Sequence, residues 1–226
     1  MDLNLKVISL IIIAAVLLIG GFCAFNLLND STTYWENDLG YVNKVVYGNE
    51  SSNTSIVVIT GIHPRETLAI EPEIRALKKF AQEHNVRIIN YAVTVTKNPT
   101  DYQQSRDNGE SLVHDYVVPN IPTTNAQAVI ISHSHVEGYG EGFYLATPAM
   151  DSRSVNIAET IANESDFNYF RSNPNHLIAS SAILVSKPIA DAGYPTFVYE
   201  IPENITEQDS TDRTVELLGR IYDLVK

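Results

Sequence analysis

Cysteine is all but missing from this 226-residue chain, with Cys23 the only one present. It stands inside an apolar N-terminal run, so neither a disulfide framework nor a thiolate metal site can be built. Any metal would have to be held by His, Asp or Glu. Positive charge is scarce as well: 15 Lys and Arg stand against 27 Asp and Glu, for a formal net charge of −12. Partners held mainly through phosphate need clustered cations, so nucleic acid is not an expected ligand. There is also no internal repeat and no low-complexity tract, which excludes solenoid and array architectures.

What is present is enough apolar material, 44% of residues, to fill one sizeable core with an appendage to spare. The appendage is the run Val7–Leu28, 22 residues without a charge. As a helix it is long enough to cross a hydrocarbon layer of ~30 Å. Residues 1–28 are therefore expected to be an N-terminal membrane anchor. A cleaved signal segment is the alternative that Ala14-Ala15 and Gly20-Gly21 leave open. Bulky Phe22 argues against lipidation of Cys23. Lys6 precedes the span, whereas Asp30, Glu36 and Asp38 follow it before the first cation, Lys44, so the remainder is expected to face outward. Asn-x-Ser/Thr sequons at Asn29, Asn49, Asn53, Asn163 and Asn204 fit an exported domain.

Beyond the span, residues 29–53 are polar and read as a tether and first edge strand around Lys44–Tyr47, with the main folded domain occupying 54–226. Ile56–Ile59 is a β-branched run ending at Thr60-Gly61, the pattern of a strand buried on both faces. Apolar spacing predicts a helix within 66–85, strands over 86–95 and 126–132, a helix near 154–165, strands near 182–185 and 195–200, and a closing helix over 209–225. Residues 96–125 are rich in Pro, Asn and Asp and read as a long functional excursion. The alternation gives an α/β domain with a mostly parallel sheet.

Ligands of open α/β sheets gather beyond the C-terminal ends of strands. Three predicted strand ends carry the same class of residue: His63 and Glu66, then His133 or His135 in Ser132-His133-Ser134-His135, then Glu200. Imidazole and carboxylate ligands with one open position suit zinc, so His63, Glu66 and one later histidine form a candidate Zn2+ site. Glu200 is the candidate general base. His84, His114 and His176 read as surface or structural residues.

At these residues the sequence resembles the zinc carboxypeptidase family, including the succinylglutamate desuccinylase and aspartoacylase branch. Gly61-Ile62-His63-Pro64-Arg65-Glu66 is similar to its His-x-x-Glu motif, and Asn98-Pro99-Thr100-Asp101-Tyr102 to its Asn-Pro-Asp-Gly-aromatic stretch. Ile131–His135 is similar to the segment bearing its third ligand, and Thr196–Glu200 to the strand bearing its catalytic glutamate. The resemblance implies an α/β/α three-layer sandwich around a mixed sheet. It makes His63, Glu66 and His133 the ligands and Glu200 the base, while the residues themselves leave His135 as the alternative third ligand. Arg106 falls where the family has an arginine that polarises the scissile carbonyl. Asp107-Asn108 is a loose counterpart of the pair that anchors a peptide carboxylate, so Asn108 joins Arg106 as a candidate substrate contact. The family's aspartate two residues before the third ligand is replaced by Ile131. The resulting expectation is a zinc hydrolase cleaving an amide bond in a peptide or cell-envelope peptide outside the membrane. An N-acyl amino acid deacylase and a non-catalytic surface-binding module are the alternatives.

Overall fold

The computed structural model describes residues 33–171, 173 and 179–226. The expected span over residues 7–28, the Asn29 sequon and His176 lie outside them. Among the described residues no helix is long and apolar enough to cross a membrane.

Eight strands form one sheet: β1 (Thr33–Asn37), β2 (Gly40–Gly48), β3 (Ser55–Thr60), β4 (Arg87–Val95), β5 (Ala128–His135), β6 (Tyr144–Ala146), β7 (Asn168–Phe170) and β8 (Thr196–Pro202). Their order is β1-β2-β4-β3-β5-β8-β6-β7. The central strands β4, β3, β5 and β8 run parallel, and antiparallel pairs flank them on both sides. The helices are α1 (Glu71–Glu83), α2 (Tyr102–Leu112), α3 (Ser152–Glu164), α4 (Lys187–Asp191) and α5 (Glu207–Val225).

Strand periodicity decides which helices cover which face. In β3 every residue is buried; Ile56 and Val58 face one core while Val57 and Ile59 face the other. The first core takes Leu77 and Phe80 of α1 and Leu217, Leu218 and Ile221 of α5. The second takes Leu112 of α2 together with Val117, Ile121 and Ile189. Helices therefore cover both faces of the sheet, which is why the central strands read as continuous apolar runs. Side chains fix the helix starts. Asp101 and Asp151 accept from the backbone N–H groups of Gln104 and Ser154, and Thr206 with Asp209 forms a reciprocal capping box on α5.

Three sequence expectations need correction. The segment 29–53 contributes two strands: β1 is the edge, and β2, which contains Lys44–Tyr47, is paired on both sides. The excursion 96–125 is mostly helical, α2 continuing through a π-helical turn (Val113–Val117) and a 3-10 stretch (Val118–Thr123). The Asp101 cap and the burial of Leu112, Val113 and Val117 outweigh its polar composition. Finally, Ala182–Ser186 is a π-helical turn leading into α4 and not a strand. Val185 and Ile189, four residues apart, are buried in the same core, a helical spacing that a short apolar run conceals.

Candidate metal centre

The chain runs from β3 to β4 on one side of it, and β5 then pairs with β3 on the other. The strand order thus reverses at β3, and the crevice beyond the C-terminal ends of β3 and β5 is where such sheets bind ligands. Gly61 ends β3 with φ +75°, and a Cβ there would stand 2.4 Å from the Val93 carbonyl oxygen. Only glycine allows that turn, which delivers His63 and Glu66 to the crevice. His133 comes from the end of β5, and on the neighbouring strand its register partner is Glu200.

These residues converge. Glu66 bridges the two histidines: Oε1 lies 2.8 Å from His63 Nδ1, and Oε2 lies 2.8 Å from His133 Nδ1. The Arg106 guanidinium donates to Glu66 Oε1 at 2.6 Å, and the Ser134 backbone N–H reaches Oε2 at 3.3 Å. One ligand atom from each of His63, Glu66 and His133 lies within 4.8 Å of the others, and all three residues are buried. Burial alone would raise the Glu66 carboxyl, but the charge and hydrogen bond of His133, with those of His63, outweigh it and hold the group well below the usual carboxylate range. Burial pushes Glu200 the other way, up to about 7, with His133 partly opposing and Glu66 reinforcing.

The donor set fits a metal ion of the zinc type, two imidazoles and a carboxylate facing a cavity. His63 also carries the support that ligating histidines usually have. Its second nitrogen, Nε2, lies 3.2 Å from Glu110 Oε1, and Glu110 is 1% exposed. Sequence reasoning missed Glu110. Arg106 pointed to it, because residues four apart on one helix share a face. Ile131 is buried in the core behind β5, and the acid behind the metal-ligand candidates comes instead from α2.

The remaining candidates separate. His135 lines the same cavity, but its Nδ1 stands 3.2 Å from the Val136 carbonyl oxygen and its Nε2 2.9 Å from that of Gly142. The loop after β5 holds that ring, and the cluster is formed with His133. Asn108 does not reach the cavity. Two residues beyond Arg106 it sits on another face of α2, where its amide donates to the Lys97 carbonyl at 2.8 Å. His84 stacks on Phe80 and His114 bonds the Leu184 carbonyl, both away from the cluster.

The cavity over the cluster measures about 210 Å³, and its lining includes Arg65, Tyr102, Arg106, Tyr139, Glu200 and Glu203. Arg65 and Arg106 each lie 5.5 Å from the ring of Tyr102. A larger hollow of about 730 Å³ shares Tyr139, Ala179, Ser181 and Glu200 with it and continues over Tyr144, Tyr169 and Phe170.

The fold is that of the metallo-carboxypeptidase-like α/β proteins. Among solved structures the chain is similar to a metallo-carboxypeptidase from Burkholderia cenocepacia, at 12% identity and a TM-score of 0.56, covering 91% of this chain and 67% of that one. It is also similar to a metallo-carboxypeptidase from Pseudomonas aeruginosa solved with (2-guanidinoethylmercapto)succinic acid, at 13% identity and a TM-score of 0.55, covering 92% and 69%. A protein of Shewanella denitrificans assigned as a metallopeptidase matches at 12% identity and a TM-score of 0.56, covering 88% and 86%. At these identities the likeness is one of fold. The chain spans about two thirds of the length of the two carboxypeptidases. No family model and no curated protein matches its sequence.

Proposed function

We propose that this protein is a zinc-dependent hydrolase of amide bonds, acting on a peptide or cell-envelope peptide outside the membrane to which residues 7–28 anchor it. The observation that carries the reading is the convergence of His63, Glu66 and His133 beside a buried carboxylate, Glu200, under an open cavity. His63, Glu66 and His133 are the residues that would hold zinc. Zinc, when bound, supplies Lewis acidity and acidifies water.

Glu200 accepts the proton of the attacking water and returns it to the leaving amine; burial, by raising its proton affinity, fits it for both directions. Arg106, which also lines the cavity, provides a delocalised cation suited to charge building on the carbonyl oxygen. Glu110 fixes the ring of His63 and so the direction of its ligating nitrogen. The support behind His63 and the base beside His133 favour an enzyme over a module that keeps only the fold. Deacylation of an N-acyl amino acid is the same bond chemistry on a smaller substrate.

The test is hydrolysis of a mixed set of short peptides and N-acyl amino acids by the zinc-loaded full-length protein. Glu200→Gln is expected to lower turnover by about 10²- to 10⁴-fold, the scale of general base catalysis, with zinc content unchanged. Turnover equal to wild type in Glu200→Gln would remove Glu200 from the reaction.

A further inference from the structure

We propose that Glu203 sets substrate preference in this cavity by binding a positively charged group, an ammonium or guanidinium, close to the amide that is cleaved. The inference rests on the hydrolase reading of the same cavity and adds a substrate class to it.

Three carboxylates line the cavity, Glu66, Glu200 and Glu203. Glu66 is fully engaged by His63, His133 and Arg106. Glu200 is buried beside the cluster. Glu203 differs from both, being exposed at the cavity wall while held in a fixed place. Its Oε1 accepts from Ser134 Oγ at 2.9 Å, and its backbone N–H donates to the His135 carbonyl at 2.9 Å. Ser134 is buried and lies on β5 between the two histidines, so the carboxylate is tied to the strand that delivers His133. Pro202, paired with His135 at the end of β8, restricts the backbone just before it.

Among the described residues no lysine or arginine forms an ion pair with Glu203. The cavity's cations stand with Tyr102, Arg106 there already bonded to Glu66 and Arg65 stacked on the ring. An acidic side chain is ordinary on a chain of net charge −12. This one is held by a buried hydroxyl on the wall of the reaction cavity, and no lysine or arginine among the described residues is paired with it. A pre-positioned carboxylate binds a cation without first having to order itself, and a hydrogen bond between ionised partners is stronger than one between neutral groups.

The test uses tetra-alanine peptides in which one position at a time carries lysine or its neutral N-acetyl form. Binding is measured by calorimetry to the zinc-loaded full-length protein in a Glu200→Gln background, which slows turnover. At one position lysine is expected to bind about tenfold more tightly than acetyl-lysine, the scale of one charged hydrogen bond. Adding Glu203→Gln should abolish that difference while keeping an acceptor for Ser134, and Glu203→Ala should abolish it too. Equal binding at every position, absence of binding, or a lysine preference that survives Glu203→Gln would overturn the proposal. Hydrolysis of the same peptides by the protein with Glu200 intact reports separately on the hydrolase reading. Cleavage without a lysine preference sinks this inference alone, and a lysine preference without cleavage sinks the hydrolase alone.

Discussion

Glu110 and Arg106 reach different sides of one pair: Arg106 donates to Glu66, and Glu110 backs His63. Glutamine at position 110 keeps an oxygen for His63 but removes the charge that strengthens its basicity. Glu110→Gln is therefore expected to weaken zinc binding by about 10- to 100-fold without unfolding the protein, as read by competition with a chelator. An unchanged affinity would reduce Glu110 to a packing residue. Glu73 makes a second prediction at this scale. It is buried and bonded to the Ser132 hydroxyl, and burial, partly offset by that bond, pushes its carboxyl from 4.5 up to about 8. The folded protein thus keeps a proton that the unfolded chain releases above 4.5, so this contribution to stability is full below 4.5 and is lost as pH rises through about 8. Thermal melts of Glu73→Gln should fall less between those pH values than melts of the wild type; parallel curves would mean that Glu73 does not hold the proton.

Among the elements, α2 does most to complete the site, and its approach depends on one residue. A Cβ on Gly109 would stand 1.7 Å from the Ile62 carbonyl oxygen, so the helix lies against the turn carrying His63 only because it has glycine there. Gly109→Ala is expected to cost about 1–3 kcal/mol of stability through overpacking, and to weaken zinc binding as Arg106 and Glu110 are displaced. Denaturant titration measures the first effect and chelator competition the second; a neutral substitution would contradict the packing. The legibility of each element in the sequence followed from its physics. The β-branched run of β3 and the apolar spacing of α5 carried their own periodicity, and His63, Glu66, His133 and Glu200 were visible because strand ends collect ligands. Glu110 was hidden because residues 96–125 read as an excursion and not a helix, which concealed its spacing of four from Arg106, and nothing local marks Glu203, whose partner Ser134 is 69 residues away. Strands β6 and β7, three residues each, are too short to show a period.

For the whole molecule, the apolar run Val7–Leu28 and the acidic flank after it carry the proposal of an outward-facing anchored enzyme. The full-length protein is expected to sediment with membranes, with its catalytic part open to protease added from outside. Recovery in the soluble fraction, or protection from that protease, would contradict the arrangement. The fold is shared with metallo-carboxypeptidases, but a fold is common to many chemistries, and the proposal of a hydrolase rests on a metal held by His63, Glu66 and His133. The most direct test is therefore the zinc content of the purified full-length protein by elemental analysis, beside His63→Ala and Glu66→Ala. The prediction is about one zinc per chain, as expected of a catalytic site with three protein ligands, and its loss in both variants. A wild-type protein that carries no zinc even after reconstitution would contradict the account.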